Sequence, residues 1–210
     1  MKRLFRPKTW LFTAIVIACI ALLWRVSSLR QPSATVSPSA SPGAVVDSDI
    51  PLKNADVRVT KKPFGIYVSP NDSPVSPERF SGYHTGLDFE TTPQEQDIPI
   101  VVRALCDGIL LLKKYATGYG GVAVQSCVLE GQPVTVIYGH LKIDSVSTQV
   151  GAAIKHGDTI GILGKGFSSE TDGERKHLHL GMHKGTAVNI LGYVQSRIDL
   201  SSWLDPALFI

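Results

Sequence analysis

The chain has 210 residues and a formal net charge of +3, enough for one domain with a real core plus appendages and too short for a two-domain enzyme. Four of its cations, Lys2, Arg3, Arg6 and Lys8, precede a long apolar run. The remainder is close to neutral and carries no basic stripe, which argues against nucleic acid as a partner.

The apolar run, "WLFTAIVIACIALLW" from Trp10 to Trp24, is followed by Arg25 and Arg30. As a helix it spans roughly 22 Å, less than the ~30 Å hydrocarbon layer, a gap that flanking Trp and snorkelling Arg side chains can bridge. Two readings fit: an uncleaved membrane anchor, or a signal peptide cut near Ser28 or Ala34. Lipidation at Cys19 is a third, disfavoured because "IALLW" stays apolar beyond that cysteine. In each case the basic flank stays cytoplasmic and the rest is exported. The expected location is extracytoplasmic, at the outer face of the cytoplasmic membrane or secreted beyond it.

Residues 1–30 thus read as anchor or signal, and residues 31–52, rich in Pro, Ser and Ala, as a semi-extended linker. Residues 53–210 read as the folded domain. There the chain breaks into short apolar segments, "IPIVVRAL", "GILLL", "GVAVQSCVL", "PVTVIYGHL" and "TIGILG", each bounded by Gly, Pro or Asp. That pattern predicts a mainly β, antiparallel domain whose one plausible helical piece is the C-terminal "SSWLDPALFI". Cys106 and Cys127 flank a Gly-rich turn that reads as a β-hairpin, and an oxidising compartment lets them pair; two buried free thiols are the other reading.

Three of the six histidines, His177, His179 and His183, alternate within "RKHLHLGMHKG". On a strand they leave one face, with residues two apart separated by roughly 7 Å and four apart by roughly 14 Å. His177 and His179 can therefore share a metal ion, whereas His183 is too distant unless the strand bends. His84 and Asp88, in "GYHTGLDFE", meet one ion only if the chain turns, which Gly82 and Gly86 make credible. His140 stands in "IYGHLK". Imidazole and carboxylate are good zinc ligands, and a catalytic zinc takes three of them and leaves a fourth position for water. His156 reads as surface, His183 as an exposed rim, and Trp203 as a cap on the sheet. There is no HExxH and no GxxxxGK phosphate loop.

The ordered set "HTGLD", "YGHL" and "HLH", from about His84 to Pro206, resembles the lysostaphin-type (LytM-type) zinc metalloendopeptidases of bacterial peptidoglycan. The resemblance implies an antiparallel β-sheet domain of the duplicated-hybrid-motif type, one Zn2+ per domain, and a peptidoglycan peptide as substrate. It implies His84, Asp88 and His179 as metal ligands and His140 and His177 as catalytic histidines; spacing alone does not separate His177 from His179. The expected activity is hydrolysis of peptide cross-links. The alternative is a non-catalytic wall-binding or amidase-activating module of the same fold. Restraint by a regulatory protein partner, by segment 53–75 folding over the groove, or by zinc supply all fit. The chain departs from the family pattern at Leu180, where Phe is usual, in its two extra cysteines, and in the long polar loop "GKGFSSETDGERK" before "HLH", which is placed to line the substrate groove.

Overall fold

Two tight turns organise the centre of the sheet. Glu130 and Gly131 both take positive φ, 49° and 77°, the two-residue geometry whose twist matches antiparallel strands. They join β6 (Gly120–Leu129) to β7 (Gln132–Gly139). Upstream, Gly118 and Gly120 supply the left-handed corners of the "ATGYGG" turn, joining β5 (Gly108–Ala116) to β6.

The computed structural model describes residues 50–210; the apolar run and nearly all of the linker lie outside the described residues. Among the described residues no helix is long and apolar enough to cross a membrane. The remaining strands are β1 (Tyr67–Val68), β2 (Gly82–His84), β3 (Gly86–Glu90), β4 (Val101–Arg103), β8 (Ala153–Ile154), β9 (Thr159–Ile162), β10 (His177–Lys184) and β11 (Tyr193–Val194). They form a six-stranded sheet in the order β3-β10-β7-β6-β5-β8, a three-stranded sheet β1-β2-β11 and a pair β4-β9. Every pairing is antiparallel. The mainly β, antiparallel expectation holds.

The central strands of the six-stranded sheet are buried on both faces, so β6 reads as a continuous apolar run and not as an alternation. One face packs Leu87, Phe89, Leu110, Val136, Leu178, Leu180 and Met182 into the main core. Ile50 and Leu52, just ahead of residue 53, are buried in the same core. Beneath it Tyr138 accepts from the Leu105 amide and donates to Gln125, whose amide nitrogen donates to the Cys106 carbonyl. Each polar group buried there is thus satisfied. The opposite face gathers Tyr119, Val122, Val124, Ile137 and Trp203.

Helix is scarce among the described residues. There a single α turn, α1 (Arg197–Leu200), is capped by the Ser196 side chain, and a short 3-10 turn covers Pro206–Leu208. The expected C-terminal helix is therefore displaced toward the N-terminus and broken. Ser196 caps the first piece; Asp205, whose side chain accepts from Ala207 N, caps the second, which opens on Pro206.

Candidate metal centre

Strand β10 solves the problem of the alternating histidines. Leu178, Leu180 and Met182 are fully buried in the main core, which by strand alternation sends His177 and His179 to the other face. Register then selects their neighbours: β10 lies between β3 and β7, with His179 opposite Asp88 on one side and Gly139 on the other. His140 follows β7 directly, at φ 61°. That left-handed conformation costs a β-region residue of this kind on the order of 1 kcal/mol, and the Gly164 amide donates to its carbonyl at 2.8 Å.

His84 arrives from a different sheet. It ends β2, and Thr85 marks the crossing into β3, its amide donating to Gly192 O and its hydroxyl to Leu191 O. This turn is what lets residues four apart, His84 and Asp88, meet. Gly86 permits it, since a Cβ there would strike the Leu180 carbonyl and come within 2.9 Å of the His179 ring.

The three candidate ligand atoms converge. His84 Nε2 lies 3.0 Å from His179 Nδ1, and Asp88 Oδ1 is 3.2 Å from each. All three residues are buried. Tetrahedral zinc with N and O ligands at about 2.0–2.2 Å sets its ligands roughly 3.3 Å apart. Two imidazole lone pairs and a carboxylate facing one another repel unless something positive lies among them, so the donor set fits a divalent cation. Asp88 uses its second oxygen elsewhere: Oδ2 accepts from Arg175 Nη2 at 2.9 Å and lies 3.3 Å from His177 Nε2. Arg175 also grips Glu90 through Nε and Nη2.

The electrostatics follow from burial. Burial works against the Asp88 carboxylate, yet the adjacent His177 and His84 hold its pKa well below the usual range. Burial pushes the His179 imidazole down to about 4, against the pull of Asp88. His140 is driven well below its ordinary value, first by burial and then by His177; its Nδ1 is buried without a hydrogen-bond partner among the described residues. The ring centroids of His140 and His177 are 4.2 Å apart, and His177 Nδ1 donates to Arg175 O at 2.9 Å.

These groups open onto a cavity of about 310 Å³, lined by Asp88, His140, His177 and His179 on one side and by Lys62, Tyr119 and Tyr193 among others. Glu174 and Arg175, at the end of the long polar loop, also line it, and Asp172 anchors that loop by accepting from Gly118 N and pairing with Arg79. His156 is exposed, as expected. His183 is not an exposed rim residue: it is half-buried against Trp203, with centroids 4.9 Å apart. Sequence reasoning missed Lys62, Tyr119, Arg175 and Tyr193, because nothing local marks a tyrosine or a cation as facing a site assembled from distant segments.

An antiparallel β domain that buries a His-Asp-His group of metal-binding geometry, with two further histidines at its cavity, has the plan of a metallopeptidase. Peptidase family M23 matches residues 82–190, more than half the chain, and the chain belongs to that family. No curated protein matches. Similar solved structures include LytU, at 22% identity and TM-score 0.49 over 72% of this chain and 83% of that one. CbpA from L. salivarius REN aligns at 25% identity and TM-score 0.44, over 70% and 83%. Csd3 from Helicobacter pylori aligns at 22% identity and TM-score 0.41, over 67% of this chain and 33% of its own length.

Proposed function

We propose that the chain is a zinc-dependent endopeptidase that hydrolyses peptide cross-links of bacterial peptidoglycan, exported and held at the outer face of the membrane by its N-terminal segment. The observation that carries this reading is the convergence of His84 Nε2, Asp88 Oδ1 and His179 Nδ1 within 4.8 Å of one another, beside two histidines in the same cavity. His84, Asp88 and His179 hold the metal. When bound, zinc supplies a Lewis acid that polarises the scissile carbonyl and lowers the pKa of the water it carries.

The remaining chemistry belongs to the histidines. His140, kept neutral by burial, is a proton acceptor for the attacking water. His177 has acceptors at both ring nitrogens, Arg175 O and Asp88 Oδ2, an arrangement that suits a ring giving hydrogens. It stabilises the developing oxyanion or protonates the leaving amine. Arg175 holds Asp88 Oδ2, which leaves Oδ1 to face the two ligand imidazoles.

The test is incubation of the zinc-loaded chain with purified sacculi beside His140→Ala, with released fragments identified by mass. New amino termini produced by the wild type alone, with zinc retained by both, are expected. Full activity in the variant would sink the role given to His140, and zinc binding without fragments from any wall chemotype would favour the non-catalytic module.

A further inference from the structure

Outside the span matched by the family, Lys62 and Tyr193 line the cavity, and Glu78 is buried against Lys62. Lys62 Nζ pairs with Glu78 Oε2 at 2.5 Å, both side chains being 2% exposed. Glu78 is saturated: Oε2 also accepts from Ser73, and Oε1 accepts from the amides of Arg79 and Phe80. A buried ion pair contributes little net stability by itself. Its effect here is directional.

Lys62 Nζ also lies 2.9 Å from Tyr193 Oη. An ammonium has only hydrogens to give, so the phenol oxygen accepts and its own hydrogen is left over. Among the described residues no acceptor takes it. The Tyr193 ring is fixed, stacked on Phe80 at 5.3 Å and set against candidate ligand His84 at 5.3 Å, its cross-strand partner. Accepting from a cation polarises a hydroxyl and makes it a stronger donor.

We infer that Tyr193 is a further catalytic residue, donating a hydrogen bond from Oη to the carbonyl oxygen of the bound peptide as it becomes an oxyanion, with Lys62 and Glu78 as the positioning pair. The proton remains on Tyr193 throughout. The inference rests on the hydrolase reading of this site. It explains why the segment before the family-matched region forms a wall of the cavity.

The experiment compares the zinc-loaded full chain with Tyr193→Phe, which keeps the stacking. A dipeptide phosphinate, whose tetrahedral oxygens imitate the hydrated peptide, is titrated calorimetrically, and a soluble cross-linked muropeptide is used for turnover. Tyr193→Phe should keep its zinc and its Tm, bind the phosphinate about 10- to 30-fold more weakly, and lose at least about tenfold in kcat with KM within about twofold. The double variant Lys62→Met/Glu78→Met, which strands no charge, should weaken phosphinate binding as well. Adding Tyr193→Phe to it should cost nothing more, whereas a merely structural pair would give additive losses and overturn the positioning role. Equal affinity of wild type and Tyr193→Phe overturns the donor, as does a wild type that does not bind the phosphinate. If the affinities fall as expected but no form cleaves the muropeptide or sacculi, the hydrolase reading fails and the donor stands.

Discussion

His84 Nε2 and His179 Nδ1 stand 3.0 Å apart in a buried position, with Asp88 Oδ1 3.2 Å from each. One shared proton can satisfy at most two edges of that triangle, whereas a divalent cation satisfies all three atoms. Zinc should therefore bind one per chain and raise the unfolding temperature. At 100 times the dissociation constant the gain is about 2.7 kcal/mol, or roughly 5–10 °C for a domain of this size. Scanning calorimetry with and without zinc checks it. His179→Ala should lose the shift, and a shift retained in that variant would move the metal elsewhere.

Arg175 acts on the same triangle from outside. Its grip on Glu90 offsets its charge, so its main effect on Asp88 is orientation: holding Oδ2 at 2.9 Å leaves Oδ1 facing the imidazoles. Groups that orient a metal ligand contribute about 10- to 100-fold to affinity. Arg175→Ala should weaken zinc binding by that factor, read by competition with a chromophoric chelator. Tighter binding in the variant would mean that repulsion between guanidinium and metal outweighs orientation.

How far these features were legible in the sequence depends on how local each one is. The strand character of residues 177–184 and the shared face of His177 and His179 follow from a period of two. The His84–Asp88 meeting was legible as a condition, that the chain turn, and Gly86 signalled it. Arg175 and Tyr193 were not, since each reaches the cavity through register or through a sheet crossing, which no local pattern encodes. The end helix was misplaced because caps at Ser196 and Asp205 decide where its two pieces start, more than apolar spacing does.

The ion pair between Arg58 and Glu95 contributes to the response to acid. Arg58 donates two hydrogen bonds to Glu95 and holds its pKa at about 2, against an ordinary 4.5. Because the folded value is the lower one, the pair's contribution is complete above about pH 4.5 and is lost as pH falls toward 2. Solvent screening limits it to about 1 kcal/mol. Glu95→Gln should be less stable than wild type by that amount at pH 7, with the two denaturation midpoints converging near pH 2. A gap independent of pH would show that the lost stability is not electrostatic.

Cys106 and Cys127, buried and 21 residues apart, bring their Cα atoms to 5.9 Å and their sulfurs to bonding distance. A bridge closing a loop of this length stabilises by about 3 kcal/mol, chiefly by restricting the unfolded chain. Tyr119, at the tip of the β5-β6 hairpin, is eight residues from Cys127, roughly 26 Å along the strand. A bridge at this position would fasten the base of a hairpin whose tip faces the cavity. Cys106→Ser/Cys127→Ser should lower the unfolding temperature by about 6–12 °C and leave zinc affinity unchanged. Alkylation of the unreduced chain under denaturing conditions should label Cys19 at most. Labelling of all three cysteines would show that the pair is reduced, and the expected loss of stability in the double variant would then have to come from packing alone.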